Sequence, residues 1–147
     1  TVGVLGYPNT GKSSIINTLA GRSKAKASSI SGYTVGIQKI KADRRILLLD
    51  TPGVIPFKED DNFKHAVIGA IDPSKINEPD MIAMQLVEYL KGAVEKYYDI
   101  EVTEDSEETI ENVAIKFKKL KKGGKPNLDQ ASRMIIKDWQ SGRIKLK

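Results

Sequence analysis

The chain opens on a short apolar run, Thr1-Val2-Gly3-Val4-Leu5, that leads into a glycine-rich turn. The run lacks polar alternation, which predicts a strand buried on both faces of a parallel sheet. Lys12 to Ala20 sets Ile15, Ile16 and Leu19 on one side and meets Gly21, the pattern of a helix and its stop. Arg22 to Tyr33 is rich in Ser, Gly, Ala and Lys and reads as a loop. Thr34 to Ala42 alternates Val35, Ile37 and Ile40 imperfectly with polar residues, and Ile46 to Leu49 is wholly apolar. With Asp43-Arg44-Arg45 between them these segments predict a hairpin, whose second arm ends at the turn Asp50-Thr51-Pro52-Gly53.

Beyond Pro56 to Asn77 the period changes from two to near four. Asn77 and Pro79 read as the cap and first residue of a helix, with Ile82, Leu86, Leu90 and Val94 at i+4 spacing and Tyr97 at its end. A second helix is expected from about Ser106 to Leu120, burying Ile110, Val113, Phe117 and Leu120 and stopped by Gly123-Gly124. Acids in its first turn and lysines in its last suit the helix dipole. Asn127 and Gln130 form a capping-box pattern for a third helix, with Leu128, Ala131, Ile135 and Trp139 inside.

The fold class is therefore an α/β P-loop half-domain followed by a small all-α helical domain: 1–56, a linker or switch region 57–76, and a basic helical domain 77–147. Three strands with the most apolar at an open edge make a poor isolated sheet. Further strands, from upstream sequence or from a partner, are expected to cover it.

Composition narrows the class. Hydrophobic residues are 39% and charged residues 29% of the 147, the balance of a folded globular domain. No apolar run approaches 18 residues and no signal-peptide pattern is visible, so a membrane span or secretion is not expected. Cysteine is absent, which suits a reducing cytoplasm and excludes thiolate chemistry. The net charge of +5 is unevenly spread: six acids and no base lie between Glu101 and Glu111. From Lys116 to Lys147 there are eleven bases against Asp129 and Asp138. That basic stretch raises a polyanionic partner; a solvated helical surface is the alternative.

The chemistry concentrates in Gly6-Tyr7-Pro8-Asn9-Thr10-Gly11-Lys12-Ser13. Gly-x-x-x-x-Gly-Lys-Ser between a strand and a helix is the phosphate-binding P-loop. Its glycines turn backbone amides inward, Lys12 reaches the β- and γ-phosphates, and Ser13 offers a hydroxyl to Mg²⁺. Asp50, at the end of the second apolar strand, suits a Mg²⁺–water contact, and the Gly53 amide can sense a γ-phosphate. Thr34 lies where a switch threonine would close over Mg²⁺ and the γ-phosphate; Ser28, Ser29, Ser31 and Thr10 are its rivals. Asn9 also has the plain role of tolerating a tight turn.

Gly-Tyr-Pro-Asn-Thr-Gly-Lys-Ser-Ser-Ile-Ile-Asn, Ser-Gly-Tyr-Thr and Leu-Leu-Leu-Asp-Thr-Pro-Gly-Val-Ile-Pro resemble the translation-factor-related GTPases, above all the circularly permuted YlqF/RbgA branch. The likeness runs on through Phe57-Lys58-Glu59-Asp60, Ala66 to Ile71, Gly123 to Pro126 and Asp138 to Ile144, so it covers nearly the whole chain. It implies a permuted GTPase fold whose guanine-reading Asn-Lys-x-Asp motif precedes the P-loop; no Asn-Lys pair occurs in this sequence. It further implies GTP or GDP held by Asn9, Thr10, Gly11, Lys12, Ser13, Ser14, Asp50 and Gly53. Lys12, Thr34 and Gly53 would then be catalytic, Ser13, Thr34 and Asp50 would serve Mg²⁺, and Asn9 would hold K⁺. Val54 occupies the place of a water-orienting glutamine, which implies slow hydrolysis that an outside element speeds.

Partners implied by the resemblance are the large ribosomal subunit precursor and its rRNA, contacted by the helical half of a cytoplasmic monomer without membrane attachment. Two other readings stand beside it: a non-enzymatic RNA-binding assembly module, and an ATPase of another P-loop class. His65, the single histidine, reads as a surface residue, and Trp139 and Phe117 read as core.

Overall fold

Apolar side chains at Val4, Ile40 and Leu48 need a common apolar partner, and three short strands meet to provide it. The structure, a computed structural model, describes residues 1–21, 25, 36–42, 46–53 and 61–146. The chain divides into two compact units, Thr1–Asp60 with Ile68–Asp72, and Asp61–Val67 with Pro73–Lys147.

In the first unit β1 (Val2–Val4), β2 (Gln38–Lys41) and β3 (Leu47–Asp50) form a sheet of order β1-β3-β2. β1 runs parallel to β3 with Val4 opposite Asp50, and β2 runs antiparallel to β3 with Gln38 also opposite Asp50. Helix α1 (Lys12–Leu19) packs against β3. Ile16, Ala25, Ile40 and Leu48 form the core, flanked by Val4, Ala20 and Ala42. Burial of β1 on both faces is not found: Val2 and Leu5 are exposed, because β3 is its one sheet neighbour among the described residues. The hairpin holds, with its turn residues 43–45 outside the described residues.

The second unit is built from α2 (Asn62–Val67), α3 (Pro79–Leu90), α4 (Ala93–Tyr98), α5 (Ser106–Lys116) and α6 (Leu128–Gln140), with a 3₁₀ turn at Pro73–Lys75. Helices α3, α5 and α6 pack on one another. Leu86, Ile110, Val113, Ile135 and Ile136 fill their shared interior. Each such aliphatic side chain contributes about 1.5–3 kcal/mol by leaving water.

Three expectations are corrected. The long helix ending at Tyr97 is two helices, because Lys91 (φ 45°) and Gly92 (φ 86°) both take left-handed conformations. Leu90 and Val94 keep i+4 spacing across the break, so periodicity alone cannot show it. Its N-cap is Glu78, without a side-chain cap bond, rather than Asn77. Helix α5 ends at Lys116, not Leu120; Lys118 (φ 54°) turns the chain left-handed well before Gly123-Gly124. Phe117 accordingly sits beyond the helix, 42% exposed, with its ring edge-on to Tyr98 at 5.2 Å.

The caps of α5 and α6 follow their sequences. Asp105 accepts from the Glu107 amide at 2.8 Å, and Asn127 accepts from the Gln130 amide at 3.2 Å. Each such cap is worth about 1 kcal/mol. A carboxylate knot closes the last helix onto its tail. The buried Asp138 accepts from Tyr98 Oη at 2.8 Å and from Arg143 at 2.9 Å. Burial and that hydrogen bond push the Tyr98 phenol well above its usual range. His65 is buried at 2% exposure, against the surface expectation, because α2 packs on α3 and α6.

Candidate functional site

The loop between β1 and α1 adopts the backbone that a phosphate cradle needs. Asn9 (φ 58°) and Gly11 (φ 82°) are both left-handed, which turns successive amides toward one side of the loop. Gly11 is the N-cap of α1; no side chain caps that helix and its first turn holds no acid. The positive end of the helix dipole is therefore not offset within the turn. The Tyr7 carbonyl gathers the loop's polar side chains. Thr10 Oγ1 donates to it at 2.8 Å and Lys12 Nζ at 2.5 Å.

Lys12 is 8% exposed, and burial pulls its ammonium below the usual lysine range, partly offset by the negative charge of Asp50. A desolvated cation held by one neutral carbonyl is an incomplete arrangement that an incoming anion would complete. Next to it, Ser13 Oγ donates to Asp50 Oδ2 at 2.8 Å, across 37 positions of sequence. Asp50 is fully buried, and its Oδ1 has no hydrogen-bond partner among the described residues.

Asp50 and Ser13 meet because β3 lies parallel beside β1, so that its last residue reaches the height at which β1 enters the P-loop. Thr51 strengthens this register by donating to the Val4 carbonyl at 2.6 Å. Its role was not read from the sequence, where only the turn around it was visible. Gly53 then passes so close to the P-loop that a Cβ there would overlap the Pro8 backbone and lie 2.9 Å from the Tyr7 carbonyl carbon. Thr10, Lys12, Ser13, Asp50 and Gly53 are thus brought together. Ser14 faces outward, its carbonyl accepting from Thr18 Oγ1 at 3.0 Å, and Asn9 is exposed at the loop tip. Thr34, its rivals Ser28, Ser29 and Ser31, and Val54 lie outside the described residues.

A hydroxyl and a buried carboxylate with one unpartnered oxygen are a donor set of hard oxygens, the type that Mg²⁺ prefers. Mg²⁺ keeps several waters and is held by one or two carboxylates plus substrate phosphates, so Ser13 and Asp50 fit it without a larger cage. Among the described residues no cluster of three His, Cys, Asp or Glu side chains forms an alternative metal site.

Residues 1–122 match the family described as 50S ribosome-binding GTPase. The chain belongs to that family. Among curated relatives is an uncharacterized GTP-binding protein of Methanocaldococcus jannaschii, 34% identical over 147 residues, covering 97% of this chain and 39% of the relative. GTPase grn1 of Schizosaccharomyces pombe is 32% identical over 168 residues, covering 98% and 35% respectively. Nucleolar GTP-binding protein 2 of Neurospora crassa is 34% identical over 146 residues, covering 98% and 24%. The chain thus spans well under half the length of each of these three relatives.

Among the solved structures that share the fold are two of YlqF. GDP-bound TM YlqF has a TM-score of 0.62 and 28% identity, covering 99% of this chain and 60% of that one. GNP-bound YlqF from T. maritima has a TM-score of 0.57 and 26% identity, covering 96% and 56%. The resemblance carried by the sequence motifs therefore holds: the chain has the α/β GTPase fold of YlqF, with a small sheet and helices. No described helix is long and apolar enough to cross a membrane.

Proposed function

We propose that the chain supplies the phosphate-gripping and RNA-contacting parts of a Mg²⁺-dependent GTPase that acts as a switch in large ribosomal subunit assembly. The observation that carries this reading is Asp50, fully buried, with one oxygen on the Ser13 hydroxyl and the other unpartnered. The loop amides and the α1 N-terminus would bind the phosphates of GTP, and Lys12 would move from the Tyr7 carbonyl to the β- and γ-phosphates. Ser13 and Asp50 would hold Mg²⁺, which when bound offsets phosphate charge and orients the leaving group. Gly53 would offer its amide to the γ-phosphate, and its tight fit against Pro8 and Tyr7 links that turn to the phosphate loop.

Guanine as the base follows from the family. The aliphatic Val54 supports slow hydrolysis in isolation, since it cannot orient water, with the ribosomal precursor and K⁺ near Asn9 as stimulants. Thr34 is proposed as the switch threonine over Mg²⁺. The helical unit contacting rRNA, a monomeric state and a cytoplasmic site complete the reading.

Titration of a fluorescent GTP analogue, with and without Mg²⁺, tests it. Wild type should bind more tightly with Mg²⁺, Asp50→Asn should lose that difference, and Lys12→Ala should lose binding altogether. Competition by GTP and not ATP separates the GTPase from another P-loop class. Binding that survives Lys12→Ala would remove the P-loop from the function.

A further inference from the structure

The segment between α5 and α6 is a small two-stranded ribbon. Leu120 and Pro126 form an antiparallel bridge, the Lys121 amide donates to the Lys125 carbonyl at 2.8 Å, and the Asn127 amide donates to the Lys119 carbonyl at 2.8 Å. The Gly124 amide closes the tip onto the Lys121 carbonyl at 3.1 Å. This register sets Lys121 directly opposite Lys125. Like charges facing each other across a ribbon are destabilising, and alternation puts Leu120 and Pro126 on the other face.

The ribbon's own sequence supplies no acid to relieve that repulsion. No acid occurs between Asn112 and Leu128. In sequence the flanking acids are Glu111 and Asp129, and Asp129 pairs with Arg133 at 2.9 Å. Lys121, Lys122 and Lys125 are exposed and have no ion pair among the described residues. The C-terminal basic charge therefore divides in two. Lys116, Arg133 and Arg143 pair inside the unit with Asp99, Asp129 and Asp138, whereas the ribbon's lysines, like the isolated Lys137 and Lys145, are exposed with no ion pair among the described residues; only the ribbon gathers such lysines on one turn.

We infer that this ribbon, Lys118 to Lys125, is the element that docks on the phosphate backbone of double-helical RNA. The inference rests on the proposed RNA-contacting role of the helical unit and assigns it to one turn. A duplex is favoured over a single strand because residues 118–126 contain no aromatic side chain on which an unstacked base could lie. Lysine is a flexible point charge that meets phosphate without reading sequence, so the contact positions rather than specifies.

The test is fluorescence anisotropy of a labelled RNA hairpin with the full chain across a series of KCl concentrations. Compared are wild type, the triple variant Lys121→Gln/Lys122→Gln/Lys125→Gln, and the equal-charge control Lys96→Gln/Lys137→Gln/Lys145→Gln. The slope of log affinity against log salt should become shallower by about 2–3 in the ribbon variant, at about 0.9 per lost duplex phosphate contact. The control should keep most of the wild-type slope. The ribbon variant should also melt at or above the wild-type temperature, since its repulsion is gone.

A steep wild-type slope that the ribbon variant leaves unchanged overturns the placement and leaves the RNA-contacting role standing. A wild type that binds no RNA overturns both. Equal loss in ribbon and control variants, tighter binding of single-stranded poly-U or of poly-glutamate through the same lysines, or a lowered melting temperature each overturns the docking inference.

Discussion

Substituting Gly53 by alanine places a methyl group where the P-loop backbone already lies. The new Cβ would overlap the Cα and N of Pro8 and sit 2.9 Å from the Tyr7 carbonyl carbon. Carbon atoms rest about 3.5–4.0 Å apart, so even the mildest of these contacts must open by at least about 0.6 Å. The obstacle is main chain on both sides, and no side chain can swing away. Either the Asp50–Gly53 turn or the phosphate loop has to move. Overpacking of this kind costs about 1–3 kcal/mol. If the loop moves, the same energy appears as nucleotide affinity weakened by about 5- to 140-fold. Because Tyr7 and Pro8 belong to the loop that grips the inner phosphates, GDP should suffer along with a non-hydrolysable GTP analogue. The assay is a fluorescence titration of both nucleotides. Gly3→Ala serves as the control, since a Cβ there meets nothing within 4 Å. Wild-type affinity of Gly53→Ala for both nucleotides would refute the packing argument. A loss confined to the triphosphate would show that the turn yields and the loop stays.

Three further outcomes follow from named contacts. Asn17 donates to the Ala25 carbonyl at 2.8 Å and accepts from the Ala25 amide at 2.7 Å, so Asn17→Ala leaves two main-chain groups of a buried residue unpaired. Loss of about 2 kcal/mol of local stability should speed exchange of the Ala25 amide about 30-fold, and unchanged protection would count against it. Asp138→Ala strands the buried Tyr98 hydroxyl and releases Arg143. It should destabilise the helical unit by about 1–3 kcal/mol in urea unfolding, and a smaller loss would show the knot to be ornamental. Phosphate near Lys12 should restore the lysine pKa that burial lowers. Between the depressed free value and the higher bound value, binding takes up a proton, so affinity is greatest at lower pH and falls as pH rises through the free value. Calorimetry in buffers of different ionisation heat reads that uptake directly; none at alkaline pH would contradict the assignment.

Local rules carried far in this chain. A P-loop is a property of consecutive residues: Gly11 can turn left-handed, the amides that follow belong to a helix N-terminus, and the strand before it is apolar. The cap at Asn127 was legible for the same reason, since it bonds an amide three positions away; Asp105, which bonds an amide two positions away, was not singled out as a cap. What stayed hidden was decided by residues far apart. The break at Lys91–Gly92 leaves the i+4 pattern intact, so only backbone dihedrals reveal it. His65 looked solvated until α3 and α6 covered its helix. Bases that look equivalent in a basic tail separate once Asp99, Asp129 and Asp138 pair with Lys116, Arg133 and Arg143. Ser13 and Asp50, 37 positions apart, could be named as candidates from sequence, but their shared hydrogen bond, the unpartnered Asp50 oxygen and the closeness of Gly53 to Pro8 exist only because β3 lies parallel to β1. Sequence determined which groups were available, because propensity and capping act over a few residues. Tertiary structure decided which of them meet, because strand register and helix packing act across the whole fold.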